Sequence, residues 1–183
     1  QEQWLRRVVS LDLLDGFLAE QGVVETFLDD RLVVVFPLGE ETLSDRMTRR
    51  ICLETALEIS EQILKAMALA HSHNVIHCDI KPENVILFPG NRIRLADFGI
   101  AKVSQRTVQG GGTGTLGYMA PEQALSTKHA DARSDLYSLG ISLWYLLTGK
   151  PAYEGDSLMA RLLAHREHPI PSLRAVRGDV PES

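Results

Sequence analysis

Residues 77–84, which read HCDIKPEN, limit the possible folds of this 183-residue chain more than any other segment. A second polar motif, Asp97-Phe98-Gly99, begins 18 residues after Asp79. The short segments VILF and RIRL lie between the two motifs, separated by the turn residues Pro-Gly-Asn. Short apolar segments around such a turn are typical of hairpin strands. We therefore expect a small antiparallel hairpin that positions the two polar motifs.

The first part of the chain predicts a helix followed by a second hairpin. Apolar residues recur at near-helical spacing in residues 1–21. Residues 23–27 and 32–36 are rich in β-forming side chains, and two aspartates between them favour a turn. These patterns indicate an antiparallel pair of strands before residue 37.

Longer helices are predicted in the middle and second half of the chain. An amphipathic pattern covers about residues 51–71. Its expected core-facing residues include Leu53, Leu57, Leu64 and Met67. An apolar helix over 134–148, closed by Gly149, follows an exposed loop at 102–117. A last helix is predicted from an N-cap at Asp156 to about residue 168, with no ordered element after residue 169.

The composition excludes several classes of protein. Apolar residues make up 44% and charged residues 23% of the chain, as in globular domains. The net charge of −5 argues against a nucleic-acid surface, which needs a basic excess. Two cysteines form no disulfide framework, and the longest apolar stretch is too short to span a bilayer. We expect a soluble, cytoplasmic domain without a nucleic-acid partner or a membrane segment, although a longer parent protein could be membrane-anchored elsewhere.

Four polar residues of the two motifs suit the transfer of a phosphoryl group. Such a site needs a carboxylate beside the attacking hydroxyl and cations beside the phosphates, because negative charge spreads over the phosphoryl oxygens. Asp79 fits the first role, and Lys81 can reach the same phosphate. Asn84 and Asp97 supply the hard oxygen ligands that Mg²⁺ prefers.

The joint spacing of these residues resembles the signature of protein kinases. Residues 114–122, which end in Ala-Pro-Glu, resemble the end of the kinase activation segment, and residues 131–140 are similar to the start of the family's central buried helix. Similarity extends over about residues 23–182. The chain thus resembles a Ser/Thr protein kinase domain of the eukaryotic-like type found in bacteria.

This resemblance implies a fold and a reaction. The expected fold is α+β and protein-kinase-like, with a mostly helical large lobe at residues 39–183. Residues 1–38 would be a remnant of the small lobe, with a helix similar to the family's αC and the hinge hairpin. The cofactors would be ATP and Mg²⁺. The catalytic pair would be Asp79 and Lys81, with Asn84 and Asp97 as metal ligands, and the partner would be a protein with a Ser or Thr acceptor.

The resemblance also assigns residues to the nucleotide and the acceptor. Val35 would be the gatekeeper, the carbonyl of Phe36 and the N–H of Leu38 would contact adenine, and Ile86 would lie under the ring. Lys81 and Thr115 both match positions of kinases that modify Ser or Thr, with Thr115 lining the acceptor pocket.

Two further residues receive structural roles by the same resemblance. His77 would stack on Phe98. A histidine two residues before Asp79 could also suggest a catalytic base, but the resemblance implies the structural role. Asp135 would accept hydrogen bonds from the main chain of the catalytic loop.

The sequence departs from the kinase pattern in three places. No Gly-rich loop occurs before Gly110, and the first lysine is Lys65, in the predicted long helix. An Arg that pairs with the family's equivalent of Glu122 would fall beyond residue 183. Cys78 stands where most members have an Arg that binds a phosphorylated activation-loop residue, so we expect activity that does not depend on that contact.

The two absences lead us to expect a truncated kinase domain, inactive by itself. A pseudokinase that serves as a scaffold or binding module is the alternative. A small-molecule phosphotransferase is a second alternative, because such enzymes also use an Asp and an Asn in their catalytic loop. It is disfavoured because Thr115 and the motif Ala120-Pro121-Glu122 match kinases that act on proteins.

Overall fold

A computed structural model describes residues 24–28, 31–35, 38–49, 51–98, 117–125 and 130–180 of the chain. The predicted helix at residues 1–21 lies outside these ranges, as does the predicted loop at 102–117 except for its last residue. The strands are β1 (Val24–Leu28), β2 (Arg31–Val35), β3 (Glu41–Thr42), β4 (Val85–Phe88) and β5 (Arg92–Leu95). The α-helices are α1 (Leu43–Arg46), α2 (Leu53–Ser72), α3 (Pro121–Leu125), α4 (Ala132–Thr148), α5 (Leu158–Glu167) and α6 (Leu173–Val176), and a 3₁₀ turn covers Pro82–Asn84.

The strands form two small antiparallel sheets. β1 pairs with β2 in a hairpin whose register sets Val24 opposite Val35. The second sheet has the order β3-β4-β5, with Val85 opposite Leu95. Both predicted hairpins are therefore confirmed. The remainder of the described fold is mostly helical.

The prediction of which α2 residues face the core is partly wrong. Met67 is buried, but Leu57 and Leu64 are 59% and 44% exposed. The buried stripe instead follows Ile59, Ile63 and Met67, and these join the main core with residues of β4, β5 and α4. The four-residue steps keep these three side chains on one face of the helix, whereas Leu57 and Leu64 fall on another.

Helix α4 begins and ends at clear sequence signals. Asp131 is its N-cap and forms a reciprocal capping box with Ser134, so the helix starts two residues before the predicted residue 134. Gly149 ends it in the left-handed conformation at φ 69°, as predicted. For α5 the predicted N-cap is off by one residue, because the hydroxyl of Ser157, not the side chain of Asp156, accepts from the N–H of Ala160 at 3.1 Å.

The end of the described chain is ordered, contrary to the expectation for residues after 169. Helix α6 is followed by Arg177, whose side chain is only 10% exposed. Its guanidinium donates to the carbonyl of Leu147 at 3.0 Å and to that of Ile51 at 3.3 Å, and it pairs with Asp179. This single side chain ties α6 to the end of α4 and to the segment before α2. Within the described ranges, no helix has the length and apolarity needed to cross a membrane.

Candidate active site

Asp135, in the first turn of α4, fixes the main chain at the start of residues 77–84, the predicted catalytic loop. It is 1% exposed. One carboxylate oxygen accepts from the N–H of Cys78 at 2.8 Å, and the other accepts from the N–H of His77 at 2.9 Å. The second oxygen also accepts from Nε2 of His71 at 2.8 Å, which must carry the proton because a carboxylate can only accept. The predicted contact between Asp135 and the loop is confirmed, and His71 at the end of α2 is an additional partner.

His77 is a structural residue of the loop. Its Nε2 lies 3.1 Å from the carbonyl of Ala96 and therefore carries a proton. Its Nδ1 accepts from the N–H of Asp79 at 3.3 Å, and its ring lies 4.4 Å from that of Phe98. Burial lowers the pKa of His77, with opposition from the nearby carboxylates, chiefly Asp135. Both ring nitrogens are thus used in a neutral tautomer, and the predicted stacking role is confirmed.

Asp79 is buried between two polar side chains of the same loop. Nζ of Lys81 lies 3.1 Å from its carboxylate. The amide nitrogen of Asn84 donates to the carbonyl of Asp79 at 2.9 Å and to its carboxylate at 3.3 Å. The 3₁₀ turn at Pro82–Asn84 brings Asn84 back toward Asp79, and Pro82 suits this turn because its φ is already fixed. These contacts therefore hold the Asp79 carboxylate and the Lys81 ammonium group in a fixed position relative to each other.

Asn84 and Asp97 flank the hairpin of β4 and β5. The N–H of Ala96 donates to the carbonyl of Asn84 at 2.8 Å, so Asp97 follows directly after this contact. Asp97 is exposed and has φ 61°, a left-handed conformation that is uncommon for residues other than glycine. The nitrogen of the Asn84 amide donates to Asp79, so its oxygen is the amide atom that could bind a cation. An amide oxygen and a carboxylate are hard ligands, and this donor set fits Mg²⁺.

Three of the four residues predicted to surround adenine, Val35, Leu38 and Ile86, lie in the described ranges. Ile86 is half-buried on β4, and its neighbours Val85 and Leu87 are buried on the opposite face of the strand. Gly39 lies so close to β4 that an added Cβ would contact Cγ2 of Ile86 and lie 2.9 Å from the carbonyl oxygen of Leu87. Leu38, just before it, is 96% exposed, and Val35 ends β2. Phe36 and Thr115 lie outside the described residues.

One buried residue of this region was not predicted from the sequence. Gln123 of α3 is 4% exposed and donates from Nε2 to the carbonyl of Cys78 at 3.0 Å. Its Oε1 accepts from the N–H of Ala120 at 3.2 Å. A glutamine has no periodic or charge signal, so only its position after the Ala-Pro-Glu motif could have drawn attention to it.

Comparison with known proteins agrees with this geometry. The family described as protein kinase domain matches residues 18–176. The chain is 34% identical over 179 residues to a probable serine/threonine-protein kinase PknB of Lactococcus lactis, a match that covers 96% of this chain and 27% of that protein. It is 36% identical over 174 residues to the serine/threonine-protein kinase PrkC of Bacillus subtilis, which covers 83% of this chain and 26% of that protein. The chain thus spans about a quarter of the length of these curated relatives. It belongs to the protein kinase family and is homologous to bacterial serine/threonine kinases.

Proposed function

We propose that this chain supplies the catalytic loop of a kinase that transfers the γ-phosphoryl group of ATP to Ser or Thr hydroxyls of proteins. The observation that carries the proposal is the buried Asp79 carboxylate, oriented by Lys81 and Asn84 in a loop anchored on Asp135. In the proposed arrangement residues 39–183 are the large lobe, and residues 1–38 are the remnant of the small lobe and the hinge.

Asp79 is the proposed proton acceptor. The acceptor oxygen forms a bond to the γ-phosphorus while the bond from that phosphorus to the bridging oxygen of ADP breaks, and the hydroxyl proton passes to Asp79. Lys81, 3.1 Å from Asp79, is placed to neutralise charge on the transferred group. The ion pair also holds the Asp79 carboxylate ready for the hydroxyl, because the Lys81 side chain is largely buried and its position is limited by packing.

Asn84 and Asp97 are the proposed ligands of Mg²⁺. When bound, the ion would neutralise phosphate charge beside the reacting group. Asp97 is exposed, and the main-chain hydrogen bond from Ala96 to Asn84 links the segments that carry the two proposed ligands.

The nucleotide and acceptor contacts complete the proposal. Adenine would lie on Ile86, with the carbonyl of Phe36 and the N–H of Leu38 as hydrogen-bonding partners and Val35 as gatekeeper. The 96% exposure of Leu38 leaves its main chain accessible to such a partner. Thr115 would line the acceptor pocket. The proposed setting is the cytoplasm, where ATP is present.

The reaction also needs a Gly-rich loop and a strand lysine over the phosphates. The sequence contains neither before Lys65 in α2. Because the chain spans about a quarter of the length of its curated relatives, we propose that both belong to the full-length protein, which is called the complete kinase below. The missing lysine is also the observation that favours the alternative, a pseudokinase acting as a scaffold or binding module.

Magnesium-dependent nucleotide binding separates the two functions. In the complete kinase, ATP with Mg²⁺ is expected to raise the thermal midpoint by several degrees more than ATP with EDTA, because a ligand that binds only the native state stabilises it. Asp97→Asn is expected to remove this magnesium-dependent increment. The measurement is a thermal melt of the wild type and the variant with each addition.

The matched control is Asp156→Asn, since Asp156 is exposed and lies outside the site. It should keep the full increment. A wild-type protein that shows no nucleotide-dependent shift in either condition would support the scaffold and count against the kinase.

A further inference from the structure

Gln123 connects the two segments that meet at the acceptor side of the site. It lies in α3, directly after the Ala-Pro-Glu motif, and both functional atoms of its amide are used. Nε2 donates to the carbonyl of Cys78 in the catalytic loop, and Oε1 accepts from the N–H of Ala120. The side chain is 4% exposed, so water does not compete freely for these bonds.

Cys78 is the residue whose conformation this contact maintains. Its φ is 64°, and a non-glycine residue in this region is strained by about 1–2 kcal/mol. Asp135 holds its N–H and Gln123 holds its carbonyl, so side chains from α4 and α3 fix both peptide planes around it. The second of these planes leads directly to Asp79. A rotation at Cys78 would therefore move the Asp79 carboxylate relative to Lys81.

The identity of Cys78 makes this contact important for regulation. A neutral thiol cannot bind a phosphorylated activation-segment residue as an arginine could. In the described residues, the catalytic loop is instead linked to the segment at 117–125 through an uncharged amide, which needs no phosphate.

We propose that Gln123 is a positioning residue that orients Asp79 through the Cys78 carbonyl and holds the acceptor side of the site without phosphorylation. This inference rests on the proposed kinase function. Gln123 itself need not touch either substrate. Its loss should therefore reduce turnover and acceptor binding, while binding of adenine on Ile86 and of Mg²⁺ by Asn84 and Asp97 is retained.

The first test compares variants of Gln123 in the complete kinase. Gln123→Ala is expected to lower kcat about 10- to 100-fold, the loss associated with a small misplacement of a catalytic group. KM for a Ser peptide should rise and KM for ATP should stay within about twofold, because a local loss at the loop spares the nucleotide side. The matched control is Ala124→Ser, the next residue of α3, which is exposed and should retain wild-type values. Thermal melts with ATP and Mg²⁺ identify any variant that fails to fold.

Gln123→Glu gives a second test that a merely structural role would not pass. A protonated Glu donates to the Cys78 carbonyl and accepts from Ala120 as the amide does, whereas the carboxylate cannot donate. The packed elements carry several ionisable groups, which include Cys78, Asp79, Lys81 and His77 of the loop, Glu122 of α3, Arg133 and Asp135 of α4, and Arg161 and His165 of α5. Burial of this position favours the protonated form of an introduced carboxyl. The kcat of this variant, divided by that of the wild type at the same pH, should therefore rise as pH falls from about 8 to 6.

The outcomes distinguish a failure of the proposed Gln123 role from a failure of the proposed kinase function. Unchanged kcat in Gln123→Ala, or a pH-independent ratio for Gln123→Glu, would overturn the role of Gln123 while wild-type activity upholds the kinase. Phosphatase-treated wild type should keep most of its activity, and its inactivation would also overturn the phosphate-independent link. A wild type that transfers no phosphate at all would instead overturn the kinase proposal, and with it this inference.

Discussion

Asp79→Asn in the complete kinase is expected to lower kcat for phosphotransfer by about 10³-fold, within the range for loss of general acid-base catalysis. An Asn side chain has the same shape, so its oxygen can still accept from Asn84, but it cannot take the proton of the acceptor hydroxyl. The distances of 2.9 and 3.3 Å from the Asn84 amide should change little. The measurement is steady-state transfer from ATP to a Ser peptide, with KM for ATP determined in parallel.

The control for this variant is Asp156→Asn, which makes the same chemical change at an exposed position. Its kcat should equal that of the wild type. If Asp79→Asn kept more than about a tenth of wild-type kcat, Asp79 would not be the proton acceptor.

Asp135→Ala is expected to lower the free energy of unfolding by about 3–5 kcal/mol, as when one partner of a buried charged contact is removed. The change leaves the N–H groups of His77 and Cys78 and the imidazole of His71 without their common acceptor. Asp135→Asn should cost less, because its single oxygen can still serve one side of the contact. The measurement is urea unfolding of the chain, extrapolated linearly to water.

Glu154→Ala removes an exposed carboxylate and should change the free energy of unfolding by less than about 0.5 kcal/mol. Equal stability of Asp135→Ala and the wild type would show that the buried carboxylate does not hold the loop. A loss of activity without a loss of stability would limit Asp135 to orienting Asp79.

The features that could be predicted from the sequence are those with short-range causes. Gly149 ends α4 because only a residue tolerant of positive φ suits that position, and the turn between β4 and β5 follows from Pro, Gly and Asn. The contacts of Asp135 and His77 were anticipated because the spacing of the motifs matched a known family. In both cases the signal lay within a few residues or within a recognised pattern.

The features that were missed depend on contacts between distant segments. Leu57 and Leu64 are as apolar as the buried residues of α2, and only packing against β5 and α4 determines which face is covered. Gln123 and Arg177 gain their roles from main-chain carbonyls that lie 45 and 30 residues away. A carbonyl is present at every residue, so no sequence pattern identifies the one that a side chain will bind.

Transfer of label from ATP carrying it at the γ-phosphorus, followed by phosphoamino acid analysis of an acceptor protein, tests the central claim most directly. With the complete kinase we expect phosphoserine or phosphothreonine that forms only with Mg²⁺ and is lost in Asp79→Asn. Label on tyrosine, or transfer that persists in Asp79→Asn, would contradict the proposed site. Absence of transfer by a protein that binds ATP and Mg²⁺ would contradict the proposed function.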